Sequence, residues 1–202
     1  MSYRLAWFLS YILHPVLMPT YALLLIFSLN QYFSFSTTPQ TKLALYTIIA
    51  FNTLILPILA SYLFLRRGYI KSFNMEEKHE RSIPFITQAV LMMIAYYMLL
   101  PLTLPKVFYL MLLGAITAVV IVVLVNLKWK ISIHMVGIGG ITGMLFGLSG
   151  LLILDLRIPI IISFLVAGFL GTARLRMGAH LPPQIYVGYL VGFVCEYLML
   201  NI

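Results

Sequence analysis

Seven mostly apolar stretches, roughly 5–29, 43–65, 84–101, 106–127, 133–153, 158–175 and 182–200, are separated by short polar segments. A helix needs ~20 apolar residues to cross the hydrocarbon core of a bilayer. Backbone amides find no water there and must be satisfied internally, so each stretch is predicted to be a helix. The last three have the least distinct edges, which leaves open a six-span reading with neighbours merged or one segment re-entrant. The expected fold is all-α, a polytopic transmembrane helix bundle of about six to seven spans in one domain over residues 1–202. The first run, opening MSYRLAWFLSYILHP, continues to about Leu29 with no small-residue cleavage site after it. It is read as a retained span.

Composition strengthens this reading. Only 9% of the 202 residues are charged and 62% are hydrophobic, against ~25% charged in a soluble domain. The mean hydropathy is +1.04. The length suits one membrane domain and leaves no room for a soluble one. The single Cys195 cannot form an internal disulfide and reads as an apolar packing residue. No internal repeat is evident, which gives no support to an inverted-repeat transporter.

Charge adds an orientation. With seven spans, the loops after the second, fourth and sixth share one membrane face with the N-terminus. That face carries ten cations: Arg4, Arg66, Arg67, Lys71, Lys78, Arg81, Lys128, Lys130, Arg174 and Arg176. The other carries three: Lys42, Lys106 and Arg157. The positive-inside rule makes the crowded face cytoplasmic, in what is expected to be a bacterial inner membrane.

Parity also gathers three polar clusters, EKHERSIP, KWKISIH and ARLRMGAH, which hold three of the four histidines. Arginine forks and lysine point charges suit a phosphate. Histidine can attack phosphorus or move a proton. None of the clusters contains an aspartate, which argues against a magnesium-dependent prenyl- or CDP-alcohol-type enzyme.

The order and spacing of these clusters resemble the type-2 phosphatidic-acid phosphatase superfamily, over a motif region of about 71–192. ARLRMGAHLPPQ is similar to the third motif, S-R, five residues, H, three residues, D. Arg174 and His180 match it, while Ala173 replaces the Ser and Gln184 the Asp. ISIH keeps Ser132 and His134 of the second motif, P-S-G-H, with Ile131 and Ile133 for the Pro and Gly. Of the first motif, K, six residues, R-P, there remain Arg81, Pro84 three residues on, and Lys78 or Lys71 at other spacings. The sequence looks like a divergent branch.

The resemblance implies a metal-independent lipid phosphate phosphatase or phosphotransferase that needs no cofactor. Its substrate would be a phospholipid or an isoprenyl phosphate or pyrophosphate, its other partners membrane lipids and not nucleic acid. It makes His180 the nucleophile that forms a phosphohistidine and His134 the general acid. It makes Arg81, Ser132 and Arg174 phosphate ligands, with Lys78 a weaker one. Lys130, near Ser132 and His134, is kept as a phosphate-binding candidate. Gln184 would orient His180 as the family's Asp does, without its charge. Glu76, Glu77 and Glu80 lie on the correct face to supply the missing carboxylate. The alternative is a catalytically weak relative that binds or moves a lipid phosphate, or a small anion transporter.

Plainer readings cover the remaining residues. Arg176 and Lys128 anchor at the interface, and His79 sits in a solvated charged run. MEEKHER reads as a charged helix end or loop rather than a metal site. His14, before Pro15 in the first span, is expected to bond a neighbouring helix. Glu196 is expected near the far interface or paired within the bundle. Gly139, Gly143 and Gly147, with Gly188 and Gly192, form small-xxx-small patterns that predict close packing of the fifth and seventh spans.

Overall fold

The computed structural model describes all residues except 30, 74, 76 and 77, and all side chains except these and those of 31, 32, 78 and 79. Seven helical segments are long and apolar enough to cross a membrane. No strand occurs among the described residues. The chain is an integral, multi-pass, all-α bundle.

The first span is broken into α1 (Tyr3–Ile12), a 3-10 turn (Pro15–Leu17) and α2 (Met18–Leu29); a short α3 (Gln31–Ser36) follows. The second comprises α4 (Pro39–Ala50), a π turn (Phe51–Ile55) and α5 (Leu56–Arg66). The remaining spans are α6 (Lys78–Leu99), α7 (Lys106–Asn126), α8 (Ile133–Leu151), α9 (Arg157–Arg176) and α10 (Pro182–Leu200).

Two kinds of span build the bundle. The fifth and seventh meet backbone to backbone. A Cβ on Gly192 would stand 1.9 Å from the Val136 carbonyl oxygen, and one on Gly139 2.1 Å from that of Tyr189. Only glycine allows this approach, and it holds α8 against α10 along their length. The first two spans are irregular, with a proline at or near each break, and the third carries a proline inside a continuous helix. Pro15 cannot donate to the Tyr11 carbonyl, so α1 stops short of it. Pro57 lies two residues beyond the π turn, and Pro84 sits inside α6. Irregular backbone at membrane depth is tolerated where it lines a cavity. Pro15, Pro57 and Pro84 all line the same one.

The third span corrects an expectation. Its helix begins at Lys78 rather than at residue 84. Pro84 reads as a first helical residue, but it is the seventh of this helix, past the four N–H groups that lack an intrahelical partner, and it leaves the Glu80 carbonyl without its i+4 bond. Arg81 therefore stands on a helix and not in a loop.

Candidate active site

A cavity of about 260 Å³ opens among the first three spans, α7, α8 and α9. Arg81, His134, Arg174, His180 and His14 line it, and Glu196 lines its inner part. Its other walls are largely apolar, including Met18, Phe85, Met92, Val119 and Met144.

Local structure explains how Arg174 and His180 come together. α9 ends at Arg176, and Gly178 just beyond its cap has a φ of +64°, a left-handed conformation that suits glycine. This cap bonds the Ala179 N–H to the Arg174 carbonyl at 3.1 Å and turns the chain back toward the bundle. His180 follows, and α10 starts two residues later. The Gln184 side chain reaches back over that helix start. Its Oε1 accepts from the Leu181 N–H at 3.1 Å and from His180 Nδ1 at 3.1 Å. An amide oxygen can only accept, so Nδ1 carries the imidazole proton. His180 Nε2 is left with its lone pair, the form a nucleophile needs.

His180 is also kept neutral. Burial, and next the Arg174 guanidinium, press its pKa from 6.5 to about 3, against a smaller opposing effect of the Gln184 bond. The unfolded chain then takes up a proton before the folded one does. This contribution to stability is present above pH 6.5 and is lost as the pH falls from there toward about 3. Magnetic resonance of ring-labelled histidines should therefore leave the His180 signal, identified by its absence in His180→Ala, untitrated from pH 8 to 4. A midpoint near 6.5 would show a solvated, unperturbed ring.

Among the described residues, no ion pair neutralises the two arginines, although the Glu80 charge reaches Arg81. Arg81 is buried, and its Nε donates to the Met75 carbonyl at 2.6 Å. Met75 takes a φ of +46°, a left-handed conformation that costs an L-residue ~1–2 kcal/mol. Arg174 Nε is buried with no hydrogen-bond partner among the described residues. Arg174 lies within electrostatic reach of Arg81, His14, His134 and His180. Two such guanidinium groups repel each other, and an anion between them would offset both.

His134 is buried, and its Nε2 donates to the Ser10 carbonyl of α1 at 3.1 Å. Nδ1 has no partner among the described residues. The His14 ring stands edge-on to it, with centroids 5.3 Å apart.

The other expected residues are placed differently. Ser132 is fully buried and does not line the cavity; its Oγ has no partner among the described residues. It is pinned from both sides, since its N–H donates to the Gln184 carbonyl at 3.2 Å and a Cβ on Gly188 would stand 2.7 Å from its own carbonyl oxygen. Lys130 is half-buried beside the site, and its charge reaches His180. The Lys78 side chain lies outside the described residues, as do Glu76 and Glu77. Glu80 Oε1 accepts the Lys71 N–H at 3.1 Å, and the residue does not line the cavity.

Two residues read as structural from sequence belong to the cavity. His14 bonds its own turn rather than a neighbouring helix, with Nδ1 accepting from the Val16 N–H at 3.4 Å. Glu196 is buried inside the bundle, not at the far interface, and its Oε2 has no partner among the described residues. Gly114 makes room for it, because a Cβ there would stand 2.6 Å from that oxygen. The proline beside each irregular span was the available signal for a cavity. Nothing in the pattern pointed to Glu196.

No protein-family model, curated protein or solved structure matches this chain.

Proposed function

We propose that the protein is a lipid phosphate phosphatase or phosphotransferase that works without a metal, through a phosphohistidine on His180. One observation carries the reading. His180, with Nδ1–H held by Gln184, keeps its Nε2 lone pair in a cavity that it shares with two arginines. In this reading Nε2 attacks phosphorus and the bond to the ester oxygen breaks. Arg81 and Arg174 stabilise the equatorial oxygens. His134, which takes up a second proton on Nδ1 once the phosphate anion is bound beside it, gives that proton to the leaving oxygen and ends as a neutral ring whose Nε2–H still faces Ser10. Water then gives a proton to His134 Nδ1 as its oxygen bonds phosphorus and the phosphorus–nitrogen bond breaks, and inorganic phosphate leaves. Transfer to an alcohol in place of water would make the same site a phosphotransferase.

The apolar walls favour an amphiphile whose phosphate enters the cavity while its tail stays among the spans or in the bilayer. Phosphatidate, phosphatidylglycerophosphate and isoprenyl phosphates or pyrophosphates share that chemistry. The test is phosphate release from this panel by the purified protein with chelator present. Release that survives chelator supports the reading. A protein that binds these lipids and releases nothing would be a binder or carrier, the reading that Gln184 in place of a carboxylate and the buried Glu196 favour.

The charge asymmetry supports a bacterial inner membrane with the N-terminus and the site on the cytoplasmic side. A single cysteine placed at Ser72 should label only from that side of sealed vesicles. Labelling from the outer side would reverse the orientation.

A further inference from the structure

The phosphatase reading leaves one imidazole of the cavity unused. The first span breaks at Leu13–Leu17, and side chains satisfy three of the backbone groups at the break. His134 Nε2 donates to the Ser10 carbonyl at 3.1 Å, Tyr21 Oη to that of Ile12 at 2.9 Å, and His14 Nδ1 accepts the Val16 N–H at 3.4 Å. A ring nitrogen that accepts from an N–H carries no proton, so the His14 proton is on Nε2. That nitrogen has no hydrogen-bond partner among the described residues. The ring lines the cavity as that of His134 does, but it is exposed where His134 is buried, and Arg174 is within electrostatic reach.

A cap on Val16 alone would not call for an imidazole. Asparagine or serine caps a turn at least as well and is shorter. The position instead carries a side chain long enough to project a donor beyond its own turn. A third cation beside Arg81 and Arg174 would add repulsion when no anion is bound. A neutral N–H adds direction without charge.

We propose that His14 is a further phosphate ligand, donating its Nε2–H to a non-bridging oxygen of the phosphate held by Arg81 and Arg174. This assignment rests on the phosphatase reading for the place of the phosphate, though not on turnover. The broken first span then forms a wall of the site, and the His-Pro pair in an apolar run has a chemical purpose. His134 keeps α1 in place through Ser10 and so sets where the His14 ring stands.

The test uses the full-length protein with orthovanadate as inhibitor and inorganic phosphate as a binding probe. His14→Asn keeps a cap for Val16 but is too short to reach the phosphate. His14→Gln carries a donor farther out. His14→Asn should weaken vanadate inhibition and phosphate binding about tenfold or more, the scale of a hydrogen bond to a charged group, and raise KM. His14→Gln should recover most of the loss. If His14→Asn behaves as wild type in a protein that turns over, His14 is only a cap and this assignment fails alone. If wild type binds phosphate in a His14-dependent way without turnover, hydrolysis fails and the assignment stands. If wild type binds neither vanadate nor phosphate, both fall.

Discussion

His180→Ala is expected to abolish phosphate release, with a loss of about 10⁴-fold or more, the scale seen when a covalent nucleophile is removed. The loss should be chemical rather than structural. Gln184 Oε1 keeps its bond from the Leu181 N–H in the variant, so the start of α10 remains capped. The turn that leads into it is set by Gly178 and the Arg174 carbonyl, neither of which depends on the imidazole. A trapping experiment sharpens the result. Wild-type protein quenched during turnover of a phosphorus-labelled substrate should retain label as a phosphoramidate, stable to alkali and labile to acid. His180→Ala should retain none while keeping its helix content. Turnover at the wild-type rate in that variant would remove the phosphohistidine mechanism. Label retained on another residue would move the nucleophile.

Gln184→Glu should raise kcat by about ten- to a hundredfold. The amide oxygen, 3.1 Å from His180 Nδ1, already fixes the tautomer and aims the ring. It cannot offset the positive charge that develops on the imidazole as the phosphorus–nitrogen bond forms. In the serine-protease triad, loss of the corresponding carboxylate costs about 10⁴-fold, which bounds the gain available here. Glutamate is the substitution that keeps the reach of Gln184. It also falls in the first turn of α10, where a carboxylate suits the helix N-terminus. The readout is kcat rather than kcat/KM, because new negative charge beside Arg174 opposes phosphate binding. The same variant should lift the His180 pKa from about 3. An unchanged kcat with a raised pKa would mean that the substrate's own charge balances the imidazolium.

How much of this was legible in the chain depends on what each signal measures. Hydropathy counts composition, so it found seven spans. Parity then predicted that Arg81, His134, Arg174 and His180 share a face, and all four line one cavity. Direction is what composition lacks. His14 in an apolar run reads the same whether its ring meets a neighbouring helix or an open space. Pro84 reads as a helix start whether the helix begins there or at Lys78. Motif spacing put Ser132 with the phosphate ligands, but the backbone approach of α10 at Gly188 packs Ser132 between the two helices. That approach was itself legible as the small-xxx-small pattern. Its consequence for Ser132 needed the register of α8 against α10, which spacing within one helix does not contain.

The bond from His134 to Ser10 joins residues 124 apart in sequence, and His180 and Gln184 lie later still. As the chain leaves the ribosome, the first span enters the membrane with its break already encoded and its Ser10 carbonyl unclaimed. Nothing synthesised before the fifth span can claim it as His134 does. The proposed nucleophile and the residue that orients it emerge last. On the proposed reading, a nascent chain would hold some of the phosphate-binding side chains well before it held anything that could attack phosphorus, and reactivity would begin only once the final helix had docked.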